Sequence, residues 1–291
     1  MPLKFFSQNV LVKTVAFAAT IFFLLPLHAD KKYLSSYVHN QYIDSLTCKG
    51  TTKLSRKKIP LKKVQYGKSQ KGKPLTAYIV PPEKNIDIDD IETVYIIASQ
   101  HGDERNAARA VGYFVRELRR LSRSYLNHRR EVVIPLYNPD GFARNTRFAM
   151  GKIDLNRDFP SSNGAKGAPH AAETKAFMHL IKKYPPDFIY NIHQPFRVVL
   201  YYPEDEELAQ PFAILSDYQS GTDVGYPTPG SLGTWARENK IPTITVELSR
   251  SMKKSMAPFI YEEVRLALFH SALGCIPKQA IPSRLEDYLT E

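Results

Sequence analysis

Two histidines and two glutamates stand where side chains of their type could do chemistry. His101 and Glu104 lie three residues apart in Ser99-Gln100-His101-Gly102-Asp103-Glu104, directly after the apolar run Thr93–Ala98. His193 follows a second apolar run, Phe188–Ile192, and Glu247 sits inside a third, Thr243–Leu248. Two imidazoles and a carboxylate are a suitable donor set for catalytic zinc, with a fourth position left for water. A separate carboxylate beside that water would serve as general base and then as general acid. Each signal is weak by itself. His-x-x-Glu recurs as His170-Ala171-Ala172-Glu173, which reads as a helix start, where a first-turn glutamate complements the helix dipole. A lone His193 is also what a satisfied core histidine looks like, and Glu247 could belong to a structural ion pair. His101 stands apart because it leaves a buried strand through Gly102, which relieves the backbone where an ion must approach.

Positioning these groups requires a scaffold, and the apolar pattern supplies one. Runs rich in β-branched and aromatic residues at Thr76–Val80, Thr93–Ala98, Val132–Leu136, Phe188–Ile192, Val198–Tyr201 and Thr243–Leu248 read as strands. Amphipathic stretches at Ala107–Leu121, Ala171–Lys183, Leu208–Tyr218 and Pro258–Ala272 read as helices. Their alternation predicts a single α/β domain over 64–280, a central mixed, mostly parallel sheet flanked by helices. In such sheets, sites form at the carboxyl ends of the strands, which is where His101, His193 and Glu247 fall.

The ends of the chain read differently. Residues 1–29 carry Lys4 and Lys13, no acidic residue, and the apolar run Thr14–Leu27 before Ala29. That is the pattern of a cleaved signal peptide, too short to span a bilayer as a helix. It predicts an exported, periplasmic or otherwise extracytoplasmic protein, with no stable membrane insertion after cleavage. Residues 30–63 form a basic lead-in, and 281–291 a C-terminal tail. Cys48 and Cys275 are the only cysteines and could either pair in an oxidising compartment or stay as buried thiols. The 291 residues carry 40 Lys and Arg against 29 Asp and Glu, a net charge of +11. Removal of the leader lowers this by two. The remaining cations run in blocks such as Lys53–Lys58 and Arg116–Arg130 without the interleaved aromatics of a nucleic-acid platform, and export argues further against a nucleic-acid partner. An acidic polymer outside the cytoplasm fits the charge better.

Taken together, the site residues resemble the zinc carboxypeptidase family. The motifs that carry the likeness are His101-x-x-Glu104, Asn138-Pro139-Asp140-Gly141, Asp154-Leu155-Asn156-Arg157, and the distant His193 and Glu247. The likeness runs from Tyr66-Gly67-Lys68-Ser69, through Gly72-Lys73-Pro74-Leu75, to the C-terminal helix. Within the family, Gly225-Tyr226-Pro227-Thr228-Pro229-Gly230-Ser231 is most similar to the bacterial murein peptide amidase A branch. Those enzymes cut the amide between γ-D-glutamate and meso-diaminopimelate in cell-wall peptides, commonly inside the cell.

The resemblance implies that His101, Glu104 and His193 hold one zinc ion and that Glu247 activates the attacking water. It implies that Arg147 polarises the scissile carbonyl, with Arg144 as a solvated loop cation, and that Asn156 and Arg157 bind the free carboxylate of the departing residue. A guanidinium fork suits a carboxylate, and a second one can stabilise an oxyanion. Tyr226 falls near the position of the family's mobile tyrosine. Asp158 departs from the family pattern, which has Asn there; it could pair with Arg157 or contact a substrate ammonium group. Export shifts the implied substrate from recycled fragments to peptidoglycan stem peptides of the wall itself. The alternatives are a metallocarboxypeptidase on ordinary L-peptides, a deacylase of N-acyl amino acids, and a non-catalytic wall-binding protein that keeps the fold.

Overall fold

The computed structural model describes residues 45–49, 55–162, 167, 169–222, 228–251 and 253–277. The signal-peptide segment, most of the basic lead-in, Tyr226 and the C-terminal tail lie outside these residues. The fold below is that of one compact unit, Leu46–Ile281.

Among the described residues, eight strands form one sheet in the order β1-β2-β4-β3-β5-β8-β6-β7. Its centre is parallel: β4 (Arg129–Ile134), β3 (Glu92–Ala98), β5 (Phe188–His193) and β8 (Thr243–Glu247) all run the same way. β3 is buried along nearly its whole length, as a strand covered on both faces must be. On one side the sheet continues antiparallel through β2 (Pro74–Val80) to β1 (Lys62–Lys68). On the other side β6 (Val198–Tyr201) runs antiparallel to β8 and parallel to the short β7 (Gln219–Gly221).

Two strand readings need correction. β4 lies earlier than Val132–Leu136, because Pro135 has no N–H to give a ladder and ends the strand. Its charged start, Arg129-Arg130-Glu131, pairs in register with Glu92-Thr93-Val94. β1 is a strand that the apolar runs did not include, because its lysines hide the alternation; charge of that kind is what protects a sheet edge.

Helices α1 (Arg105–Leu118), α4 (Glu206–Ser216) and α6 (Ala257–Leu273) pack together. On α1 the buried positions Ala107, Ala110, Val111, Phe114, Val115 and Leu118 recur at helical spacing and form one apolar stripe. Helices α3 (Ala172–Lys183) and α5 (Leu232–Glu238) cover the face bearing Tyr95, Ile97, Val132, Ile134 and Ile189. Side chains alternate along β5, so Asn191 and His193 project to the same face as Ile189. That face is where the site is built.

The lead-in around Cys48 is tied to the segment just after α6. Cys48 and Cys275 form a disulfide, which resolves the choice the sequence left open. Cys48 N–H donates to Ile276 O at 3.0 Å and Ile276 N–H to Leu46 O at 2.9 Å.

Candidate active site

The site sits at the carboxyl ends of β3, β5 and β8. After β3 the chain turns through Ser99, held at φ +60°, and delivers a buried His101. Gly102 has a different reason from the one read in the sequence. A Cβ there would stand 2.1 Å from the Gly141 carbonyl carbon and 2.3 Å from Phe142 N, so glycine is required by a backbone packed against it, not by room for an ion. The packed backbone belongs to α2 (Pro139–Arg144), a helix too short for periodicity to reveal. Its signals were local: Asn138 caps it by accepting from Gly141 N–H at 2.8 Å, Pro139 opens it, and Asn145 ends it at φ +52°. Asn138 also donates from Nδ2 to Gln100 O and Arg147 O, so the Asn-Pro-Asp-Gly motif splices the His101 turn to the Arg147 segment. Gly102 N–H donates to Arg147 O at 3.2 Å, adding a second stitch.

Glu104 divides its carboxylate between the two histidines. Oε1 lies 2.5 Å from His101 Nδ1 and Oε2 lies 2.9 Å from His193 Nδ1. The imidazole rings are 4.8 Å apart between centroids. One ligand atom from each of His101, Glu104 and His193 lies within 4.8 Å of the others, and all three residues are buried. Glu247, the last residue of β8, is the register partner of His193 at the end of β5, and its buried Oε2 has no hydrogen-bond partner among the described residues. Burial, as the dominant influence, raises the Glu247 pKa.

The charges here favour a cation. Burial works against charge on His101, but Glu104 and the Asp154 hydrogen bond outweigh it and lift the imidazole to about 9. Burial likewise opposes the Glu104 carboxylate, yet His193 and His101 hold it down at about 2. A metal ion bound between these groups would compete with the proton on His101. Two imidazole nitrogens and a buried carboxylate fit zinc as a catalytic donor set.

Asp154 was seen only as part of a motif, and the structure gives it a place. Its Oδ1 lies 3.2 Å from His101 Nε2, while Oδ2 accepts from Arg147 Nε at 3.0 Å and Nη2 at 2.8 Å. Burial opposes its ionisation, but His101 and Arg147 hold its pKa well below the usual carboxylate range. Arg147 is thereby fixed with Nη1 3.3 Å from His101 Nδ1. Arg144 instead donates to the carbonyls of Asp140 and Phe148. Asn156 and Arg157 follow in the turn capped by Asp154; Asn156 N–H donates to Asp154 Oδ1, and Arg157 Nη1 donates to Asn156 O.

Asp158 turns to the backbone at the start of α3 rather than to Arg157. It is buried and accepts from His170 N–H at 2.9 Å and Ala171 N–H at 3.0 Å, capping α3 from a distance. His170 is therefore structural, as its helix-start pattern indicated. Gln194, which no motif marked, does the same for α1: its Oε1 accepts from Asn106 and Ala107 N–H, both at 3.2 Å.

Comparison with known proteins places this arrangement. Residues 90–262 match the model of the succinylglutamate desuccinylase/aspartoacylase catalytic domain. Over 205 residues the chain is 31% identical to murein peptide amidase A of Vibrio campbellii, covering 63% of this chain and 77% of that protein. The chain belongs to the zinc carboxypeptidase family, in its murein peptide amidase A branch. Another member of the branch, murein peptide amidase A of Escherichia coli K12, is 28% identical over 239 residues, 74% of this chain and 91% of its own length. The crystal structure of the murein-tripeptide amidase of Escherichia coli O157 superposes with a TM-score of 0.57 at 26% identity, covering 72% of this chain and 92% of that one. Carboxypeptidase A of Helicoverpa armigera shares the fold, with a TM-score of 0.60 at 16% identity, over 84% of this chain and 81% of its own. Membership of the family makes the chain a hydrolase.

Proposed function

We propose that the chain is an exported, zinc-dependent amidase that trims peptidoglycan stem peptides by releasing terminal meso-diaminopimelate from γ-D-glutamate. The observation that carries this reading is the convergence of His101, Glu104 and His193 within 4.8 Å, beside the unpartnered carboxylate oxygen of Glu247. His101 and His193 through Nδ1, and Glu104 through its carboxylate, would hold the ion. When bound, zinc supplies Lewis acidity to the scissile carbonyl and to water.

The chain's own groups do the rest. Glu247 takes a proton from the attacking water as the new C–O bond forms. It returns that proton to the leaving amine as the C–N bond breaks. Burial raises its pKa from the ordinary carboxylate value, the direction that helps a group that first accepts and then donates a proton. Arg147, clamped by Asp154, faces the oxyanion that develops between those steps. Asn156 and Arg157 hold the departing residue by its free carboxylate. Tyr226, outside the described residues, is the further substrate-binding candidate that the family resemblance implies.

The wall substrate is supported by the named activity of the relatives, and export by two independent features. The leader pattern of residues 1–29 is one; the Cys48–Cys275 disulfide, a bond kept in oxidising compartments, is the other. Mass spectrometry of purified muropeptides before and after incubation tests the reading. Conversion of tripeptide stems to dipeptides is expected, and hydrolysis of ordinary L-peptides alone overturns it. The family model also favours a second reading, deacylation of N-acyl amino acids. Including such compounds in the same assay decides between them.

A further inference from the structure

The segment leading into α5 is strapped onto the turn that carries Asn156 and Arg157. Leu232 N–H donates to Asn156 Oδ1 at 2.9 Å. Phe159 N–H donates to Gly230 O at 3.0 Å, and Gly230 N–H donates to Ser161 Oγ at 3.0 Å. Gly230 has φ +75°, and a Cβ there would stand 2.4 Å from Arg157 O, so both its conformation and its neighbour exclude a side chain.

This strap settles the orientation of an amide. A backbone N–H can only donate, so the Asn156 atom facing Leu232 must be the oxygen. Both Nδ2 hydrogens are then left without a partner among the described residues. Asn156 N–H in turn donates to Asp154, the carboxylate that also contacts His101 and Arg147. One chain of hydrogen bonds therefore runs from Leu232 to the groups around the candidate ion.

We infer that Gly230 and Leu232 are positioning residues for recognition of the substrate's terminal carboxylate: they hold Asn156 with its oxygen inward and its two donors free, and they set the backbone on which Arg157 rests. This rests on the role proposed above for Asn156 and Arg157. The strap makes the site selective for an anionic end. A carboxylate accepts both donors, whereas a terminal carboxamide places its own N–H groups against donors and the Arg157 guanidinium.

The test compares substrates ending in a free carboxylate with the same substrates ending in a carboxamide. Both a γ-D-glutamyl–meso-diaminopimelate stem and an ordinary L-peptide are used. Gly230→Ala displaces Arg157, and we expect KM for the free acid to rise about 10- to 100-fold with kcat within about threefold. Ser161→Ala, which only loosens the strap, gives a smaller rise of the same kind. Asn156→Asp keeps an acceptor for Leu232 but replaces the donors with a second oxygen, so it should reverse the preference toward the carboxamide. The melting temperature of each variant shows that it is folded. If folded Gly230→Ala leaves KM unchanged, or raises it equally on both substrate ends, the inference is wrong. Cleavage of the L-peptide alone removes the wall reading and leaves this one standing. If neither peptide is cleaved, calorimetric titration with meso-diaminopimelate decides: weaker binding to Gly230→Ala upholds the strap, and equal binding rejects it.

Discussion

His193 and Glu247 close two neighbouring parallel strands as register partners, so a candidate ligand and a candidate proton carrier are set side by side by the sheet itself. Neither depends on a loop for its position. The two roles should therefore separate cleanly on mutation. Glu247→Gln is expected to bind zinc as wild type does and to lose about 10²- to 10⁴-fold in kcat, the usual worth of a positioned proton-transfer group. Metal content and turnover of tripeptide stems measure the two halves; undiminished turnover would remove Glu247 from the mechanism.

Asp154 orients His101 and Arg147 with one carboxylate. Partners of this kind typically control metal affinity as well as rate. Asp154→Asn is expected to weaken zinc binding about 10- to 100-fold in competition with a chelator, besides lowering kcat. A variant with wild-type affinity would confine Asp154 to Arg147.

Asp158 stands next to Arg157 in sequence yet serves the start of α3. Asp158→Asn leaves one of two backbone donors poorly paired, and we expect a loss of about 1–3 kcal/mol in stability. Turnover of the folded variant should stay within about threefold of wild type, since a cap lost elsewhere in the fold leaves the site's geometry in place. Chemical denaturation with kinetics on the same preparation checks both; a selective loss of activity would return Asp158 to the substrate.

Much of this site was legible because strand ends are legible. His101, His193 and Glu247 each followed or closed a long apolar run, and the parallel sheet brings such ends to one edge. Gly102 was noticed for the wrong reason, since the backbone that crowds it comes from α2, about forty residues away and only six residues long. Asp158 was misjudged for a similar reason: its partners are the amides of His170 and Ala171, and backbone donors carry no residue signature. Gln194 is the extreme case, a side chain just after β5 that caps α1 with no pattern to announce it.

His270, near the end of α6, gives a pH dependence away from the site. Burial first, and Arg129 second, hold its pKa down at about 4, against 6.5 for the free side chain. Between those values the unfolded chain binds a proton that the folded chain refuses. Stability therefore rises with pH through this window and is fully present above it, a gain on the order of 3 kcal/mol. Denaturation curves at several pH values should show that slope, and His270→Gln should flatten it whatever it does to absolute stability. An unchanged slope would mean that His270 is protonated in the fold.

The disulfide closes a long stretch of the chain on itself, joining residues 227 apart. A cross-link spanning so long a loop restricts the unfolded chain strongly, and Cys48 also engages Ile276 through the backbone. The bridge holds the described part of the lead-in against the end of α6, on a segment separate from the strand ends that carry the site. Cys48→Ser is therefore expected to cost about 2–4 kcal/mol of stability while leaving kcat and KM of the folded enzyme near wild type. Melting under reducing and oxidising conditions gives a second readout: the wild type should lose stability with reductant, and the variant should not respond. A wild type indifferent to reductant would show that the packing around Leu46–Cys48, rather than the covalent bond, holds this end in place.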